Sequence, residues 1–272
     1  MAKQRLDMLL VDLNLCSSRQ QAQRLIRAGE VKVNRQIIDK PGTEVEKSAT
    51  VEVREKPPYV SRGGEKLKKA LEVFAIPIEG RICLDGGIST GGFTDCLLQL
   101  GAKQVYGVDV GYGQVAWRLR QDDRVILKER TNLRYLQPED LYGDNPRANL
   151  GVVDVSFISL SKIFPALWTL LEAPKEVILL IKPQFEVGRD RVGKKGVVRD
   201  PQDHAQAIWQ VIQSALDLGW FYCDLTFSPI TGPAGNIEYL LWLNTHTAKQ
   251  SIDLETVQTL TQEAVELLGN SR

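Results

Sequence analysis

The stretch Leu84-Asp85-Gly86-Gly87-Ile88-Ser89-Thr90-Gly91-Gly92-Phe93 decides the fold. It ends a short apolar run (82–85) and opens a helical stretch carrying Leu97, Leu98 and Leu100. Glycines at a strand-to-helix turn let a ligand approach the backbone, and the helix N-terminus offers unpaired N–H groups. The next apolar run, 104–109, ends in Asp109, where an acid can hydrogen-bond a ribose diol. A dinucleotide turn reads Gly-x-Gly-x-x-Gly, whereas this one reads Asp-x-Gly-x-Ser-x-Gly. A carboxylate at the turn repels a pyrophosphate and suits a cation. The turn therefore favours S-adenosylmethionine, with its ammonium and sulfonium, over NAD.

Further strands are predicted over 125–128, 150–154, 177–182, 223–227 and 238–243. The first five strands are separated by helical or crossover-length stretches. Val177-Ile178-Leu179-Leu180-Ile181 suits a strand buried on both faces. The pattern is a doubly wound α/β domain with a mostly parallel sheet of seven strands, the last two antiparallel at one edge. A terminal helix over 254–268 is expected on the outside.

The N-terminal 55 residues read differently. Leu6, Leu9, Leu10 and Leu13 form one helical stripe, and Ser17-Ser18 can cap a second helix that buries Ala22, Leu25 and Ile26 and stops at Gly29. Val31-Lys32-Val33, a turn at Asn34-Arg35, Ile37-Ile38 and a strand over 50–53 complete a small α+β unit. The Pro57-Pro58 step marks 56–61 as a linker, so the main domain is expected over 62–272.

The 34 basic and 34 acidic residues cancel, but residues 1–57 hold 11 basic against 8 acidic side chains. Apolar residues at 43% and charged ones at 25% exclude a disordered or disulfide-dense scaffold. No run approaches the roughly 18 apolar residues of a membrane span, and Met1-Ala2-Lys3-Gln4-Arg5 has no signal-peptide character. A cytoplasmic protein with reduced thiols and no metal is expected, because Cys16, Cys83, Cys96 and Cys223 lack metal-ligand spacing. With two histidines in the chain, proton transfer falls to Lys, Asp, Glu or Tyr.

Four charged residues fit a structural role poorly. Asp154 and Lys182 end predicted strands, where an open α/β sheet lines its ligand crevice. A lysine directly after five apolar residues is costly unless paired. Glu238 begins a late strand, and Lys66 starts a helix after the linker. Two lysines and two acids converging on a crevice make an acid–base site without histidine. Burial and a nearby second cation are the usual means of turning such a lysine into a base.

These residues stand in motifs that run in order along the chain: Tyr59-Val60-Ser61-Arg62-Gly63-Gly64-x-Lys66-Leu67, Ser89-Thr90-Gly91-Gly92-Phe93-Thr94-Asp95, Gly107-Val108-Asp109-Val110-Gly111-Tyr112-Gly113-Gln114, Asp154-Val155-Ser156-Phe157-Ile158-Ser159 and Lys182-Pro183-Gln184-Phe185-Glu186. Through them the chain resembles the TlyA family of rRNA cytidine 2′-O-methyltransferases, also known as haemolysin A. Its larger part resembles the FtsJ-like RNA 2′-O-methyltransferases. Residues 1–55 resemble an S4 RNA-binding domain through Ser18-Arg19-x-x-Ala22-x-x-Leu25-Ile26-x-x-Gly29-x-Val31-x-Val33-Asn34.

The resemblance implies a Rossmann-like class I methyltransferase fold with Lys66, Asp154, Lys182 and Glu238 as catalytic tetrad. It implies S-adenosylmethionine bound by Asp85, Gly87, Ser89, Thr90, Gly91, Gly92, Phe93, Asp109 and Asp154. Arg5, Arg19, Arg24, Arg27, Lys32, Arg35 and Arg62 would grip rRNA on a ribosomal subunit. A monomer with neither membrane nor obligate protein partner is expected. Two positions depart from the family. Gly86 stands where an apolar residue is usual and loosens the turn, and Ile88 replaces Ala and puts bulk beside the cofactor. These departures are the support for an alternative, a ribosome- or RNA-binding protein with a vestigial methyltransferase fold. A third departure is Arg35, where S4 domains commonly have Gly.

Overall fold

The computed structural model describes residues 2–54, 57–247 and 251–269. The chain divides into two compact units, Met1–Pro57 and Pro58–Arg272. Glu55 and Lys56, at the start of the expected linker, lie outside the described residues, as does Met1.

In the first unit, β1 (Lys3–Arg5) leads into α1 (Leu6–Asp12) and α2 (Arg19–Arg27), followed by β2 (Val31–Val33), β3 (Gln36–Ile37), β4 (Glu44–Glu46) and β5 (Val51–Val53). Ser18 caps α2 by accepting from the Gln21 N–H at 3.2 Å. Leu6, Leu9, Leu10, Ala22, Leu25, Ile26, Val31, Val33 and Val45 form the core. Helix α1 ends at Asp12, so Leu13, expected on its buried stripe, is 44% exposed. Strand β1 pairs antiparallel with β4, and β2 pairs with β3 and β5.

The hairpin turn keeps the two-residue form despite Arg35: Asn34 and Arg35 have φ of 50° and 69°. Primed turns need this geometry, and a non-glycine residue there costs about 1–2 kcal/mol. Arg35→Gly is therefore expected to stabilise the protein by about 0.5–1 kcal/mol, after glycine's larger unfolded-state entropy is subtracted. A urea series measures the gain; a lowered midpoint would contradict the strain.

The second unit runs α3 (Gly63–Phe74), β6 (Ile82–Gly86), α4 (Gly92–Gln99), β7 (Gln104–Val108), α5 (Trp117–Arg120), β8 (Val125–Lys128), α6 (Pro138–Tyr142), β9 (Leu150–Val153), α7 (Phe164–Leu170), β10 (Glu176–Ile181), α8 (Pro183–Glu186), α9 (Pro201–Leu216), β11 (Phe221–Phe227), β12 (Tyr239–Asn244) and α10 (Leu254–Leu268). Seven strands form one sheet in the order β11-β12-β10-β9-β6-β7-β8. Strand β12 runs antiparallel to both neighbours, and the other pairings are parallel.

Strand periodicity splits the core between the two sheet faces. Val177, Leu179 and Ile181 of β10 join the cluster that also holds residues of α7, α9 and α10, while Ile178 and Leu180 join the one with α3 and α4. Both faces are thus covered by helices, which leaves the carboxyl ends of the parallel strands to line a crevice. Residues Tyr59, Val60 and Ser61 of the expected linker pack into this unit. Tyr59 is 8% exposed and lies so close to Gly64 that a Cβ there would sit 2.1 Å from its ring. The Val60 N–H donates to Asp95 Oδ2 at 2.8 Å.

Candidate active site

Asp109, Asp154 and Lys182 each lie one residue beyond the carboxyl end of a parallel strand, and Glu238 one residue before β12. The sheet order puts β9 between β6 and β10, so Asp154 lies between the Gly-rich turn and Lys182. Lys182 Nζ is 2.6 Å from Asp154 Oδ1. The two form an ion pair, and among the described residues no well-angled donor faces that oxygen. Lys182 instead donates a hydrogen bond to Ser156 Oγ at 2.8 Å. Lys66 Nζ donates to Glu238 Oε2 at 2.5 Å. Lys66 is 7% and Glu238 2% exposed. A lysine in a run with Lys68 and Lys69 usually belongs to a solvated helix face. This one is buried because α3 packs against the sheet. The site holds two lysine–carboxylate pairs, not one continuous chain of four.

Three cavities meet around them. One of about 470 Å³ is lined by Gly87, Ser89, Asp109, Leu133, Asp154 and Phe157, among others. A smaller one of about 200 Å³ joins Lys66, Asp85, Gly87, Thr90, Gly92, Phe93 and Asp154. On the other side, Lys182, Glu238, Ser156, Phe157 and Lys195 line a space of about 370 Å³. Asp154 borders the first two, and its partner Lys182 borders the third.

The Gly-rich turn is shaped by close backbone approach. Gly87 has φ of 87°, and a Cβ there would meet the Asp154 carbonyl oxygen at 2.4 Å. Asp109 bridges the turn to β7, accepting from Ser89 N–H at 2.8 Å and Gly111 N–H at 2.7 Å. Gly91, expected to touch the cofactor, lines neither cavity; it is the N-cap of α4, at φ 99° beneath Leu119. Each departure from the family pattern meets a close neighbour in the fold. Ile88 is 3% exposed and sets its Cδ1 against Gly107, where an added Cβ would sit 2.4 Å away, and the residue also lines the smaller cavity. Gly86 makes room for Leu133, whose Cδ2 would lie 2.6 Å from an added Cβ.

Asp85 is fully buried. Its Oδ2 accepts from Thr94 N–H at 3.0 Å and Thr94 Oγ1–H at 2.6 Å, while Oδ1 has no partner among the described residues. Burial raises its pKa to about 7, with Thr94 opposing and Asp154 and Asp109 adding to the rise. A raised folded-state pKa favours the protonated acid, so this contribution to stability is complete below about pH 4 and fades as pH climbs through 7. Asp85→Asn is expected to flatten that part of the ligand-free protein's pH–stability curve. Urea midpoints from pH 4.5 to 8 measure it; parallel wild-type and variant curves would contradict the assignment.

Four residues escaped sequence reasoning. Ser156 accepts the Lys182 hydrogen bond. Phe157 is 90% exposed at φ 65°, with its ring 5.1 Å from that of Phe185. Strain of this kind in an exposed aromatic residue marks functional loops, but the letters Ser-Phe-Ile give no sign of it. Glu186 accepts from Ser159 Oγ–H at 2.6 Å and Leu160 N–H at 2.9 Å, tying the loop after β9 to α8; burial raises its pKa. Gly232 abuts Glu238, whose Oε1 a Cβ would meet at 2.6 Å.

In the first unit Arg5 and Arg19 both turn to Asp7, at 2.9 and 3.0 Å, and hold that carboxyl well below its usual range. The other expected RNA-binding residues there, Arg24, Arg27, Lys32 and Arg35, are exposed and make no ion pair among the described residues.

The sequence profile of FtsJ-like methyltransferases matches residues 59–245. The chain is also 49% identical to the 16S/23S rRNA (cytidine-2′-O)-methyltransferase TlyA of Mycobacterium tuberculosis, over 89% of this chain and 90% of that one. The chain belongs to the TlyA branch of the FtsJ-like methyltransferases. The S4 domain profile matches residues 4–51 of this FtsJ-like methyltransferase. It is 42% identical to Hemolysin A of Brachyspira hyodysenteriae, over 87% of this chain and 98% of that one. A solved structure of a candidate hemolysin from Streptococcus thermophilus superposes with a TM-score of 0.74 at 42% identity, covering 98% of this chain and 97% of that one. Among the described residues no helix is long and apolar enough to cross a membrane.

Proposed function

We propose that this FtsJ-like methyltransferase transfers a methyl group from S-adenosylmethionine to the ribose 2′-oxygen of a cytidine in ribosomal RNA. The observation that carries the reading is the wall formed by the two lysine–carboxylate pairs. Four separate segments bring them between the cavities on the Gly-rich-turn side and the one that opens past Phe157.

The residues of the turn fit the cofactor. Asp85 offers a buried oxygen without a partner among the described residues, which suits a cation, and Asp109 lines the cavity, where its carboxylate would take a ribose diol. Gly87, Ser89, Thr90, Gly92, Phe93 and Asp154 would complete the cradle. S-adenosylmethionine supplies an electrophilic methyl group on a sulfonium centre. The protein's part is to position the nucleophile and manage one proton. Lys182, fixed by Asp154 and Ser156, orients the 2′-hydroxyl; as the oxygen–carbon bond forms, it takes the hydroxyl proton while passing one of its own ammonium protons to Asp154. Lys66 and Glu238 complete the same wall. Positioning of this kind supplies on the order of 7–11 kcal/mol in favourable cases. Phe157 gives an exposed ring on which an unstacked base can lie. The S4-like unit, with Arg24, Arg27, Lys32 and Arg35, would hold the RNA backbone without reading much sequence.

The test is incubation of unmodified ribosomal subunits with the protein and S-adenosylmethionine, followed by digestion to nucleosides. The reading predicts 2′-O-methylcytidine. A protein that binds subunits yet neither binds S-adenosylmethionine in calorimetry nor forms this nucleoside is the vestigial alternative.

A further inference from the structure

The segment 188–199, Gly-Arg-Asp-Arg-Val-Gly-Lys-Lys-Gly-Val-Val-Arg, holds five cations against one acid. Like charges at this density repel one another and usually mark a mobile solvated loop. Here the backbone is built. The Gly193 N–H donates to the Val197 carbonyl at 3.0 Å, and the Gly196 N–H to that of Gly193 at 3.1 Å. Asn236, only 2% exposed, accepts from Val198 N–H at 3.0 Å and donates to the Gly196 carbonyl at 2.8 Å. Lys195 is held at φ 68°, a conformation that favours glycine. Arg191 pairs with Asp203 at 3.2 Å, but Arg189, Lys194, Lys195 and Arg199 are exposed and make no ion pair among the described residues.

These cations are distributed around the site. Lys195 lines the cavity that holds Lys182 and Glu238. Arg189 lines an adjoining space of about 650 Å³ with Arg134, Lys162, Phe157 and Phe185. Arg199 lines another, of about 520 Å³, with Arg62 over an apolar floor that includes Ile230 and Ile237. No carboxylate among the described residues lines either outer cavity. One segment thus sends a cation into the central cavity, into the one that shares Phe157 and Phe185 with it, and into a third lined by Val197, Thr231 and Gly235, each next in sequence to a residue of the central cavity. Aromatic rings beside cations along a groove suit a single strand, whose phosphates are gripped while its bases stack.

We propose that residues 188–199 form a phosphate-gripping rim for the RNA strand running through the active site. Lys195 holds the backbone at the target nucleotide, and Arg189 and Arg199 hold the flanking phosphates. The rim rests on the RNA-methyltransferase reading and adds a second RNA contact, separate from the S4-like unit.

The test uses the full-length Lys194→Ala/Lys195→Ala and Arg199→Ala variants. The charge-matched control is Lys103→Ala/Lys175→Ala, whose residues precede β7 and β10 at the far end of the sheet. Binding of a fluorescent 12-nucleotide single-stranded RNA is titrated across salt concentrations, and kcat and KM are measured on unmodified subunits. The double rim variant is expected to bind the oligonucleotide about tenfold more weakly at low salt, with a salt slope shallower by about 1.4. Its KM for subunits should rise while its affinity for S-adenosylmethionine stays at the wild-type value. Wild-type affinity, slope and KM in both rim variants would overturn the rim, as would an equal loss in the control. If the wild type methylates no subunit, the RNA-methyltransferase reading fails, and the oligonucleotide titration still decides whether the rim grips RNA.

Discussion

Replacing Lys182 by Ala should lower methyl transfer by about 10³-fold while leaving S-adenosylmethionine binding within a few-fold of wild type. The side chain sits on the far side of Asp154 from the Gly-rich turn, so the cofactor cavities lose nothing directly. What is lost is the group that orients the 2′-hydroxyl and receives its proton. Asp154 is left without its cation, which also costs some stability, so kcat and a urea midpoint are measured together. A variant that folds, binds the cofactor and retains more than a tenth of wild-type kcat would remove Lys182 from the mechanism.

Gly87→Ala should be the most damaging conservative change in the turn. The new methyl would lie 2.4 Å from the Asp154 carbonyl oxygen and 2.9 Å from its carbon, both backbone atoms, at φ 87°. Backbone cannot rotate away as a side chain can, so the turn and the loop after β9 must separate, taking Asp154 from Lys182. A loss of roughly 2–4 kcal/mol and at least about 100-fold in transfer is expected. Gly86→Ala is the internal comparison. Its methyl would meet only the tip of Leu133, at 2.6 Å, which can rotate aside. The cost there should be nearer 1 kcal/mol. Unfolding midpoints and initial rates measure both, and equal effects would contradict the turn's geometry as described.

Much of this was legible in the residues. The sheet was readable because strands buried on both faces are continuous apolar runs, as in 177–181. Lys182 stood out because a charge directly after such a run needs a reason. The three-residue β1 and β4 were not readable, since Lys3-Gln4-Arg5 and Glu44-Val45-Glu46 are too short to show a period and mostly charged. The pairing of Lys66 with Glu238 links residues 172 positions apart and depends on β12 lying beside β10. The departures at Gly86 and Ile88 looked like defects because their close neighbours, Leu133 and Gly107, are distant in sequence and adjacent in space. Ser156 and Phe157 were visible as letters in a motif, but a strained backbone and a hydrogen bond to Lys182 are properties of the folded loop.

The central claim is that the wall between the cavities methylates a ribose oxygen. Its most direct test is transfer of radiolabelled methyl from S-adenosylmethionine to unmodified ribosomal subunits, followed by alkaline hydrolysis of the RNA. A 2′-O-methyl group blocks cleavage at its own nucleotide, so the account predicts label in an alkali-resistant dinucleotide, lost in the Lys182→Ala variant. Label in mononucleotides would place the methyl on a base, and no label on either subunit from folded, cofactor-binding protein would contradict the account altogether.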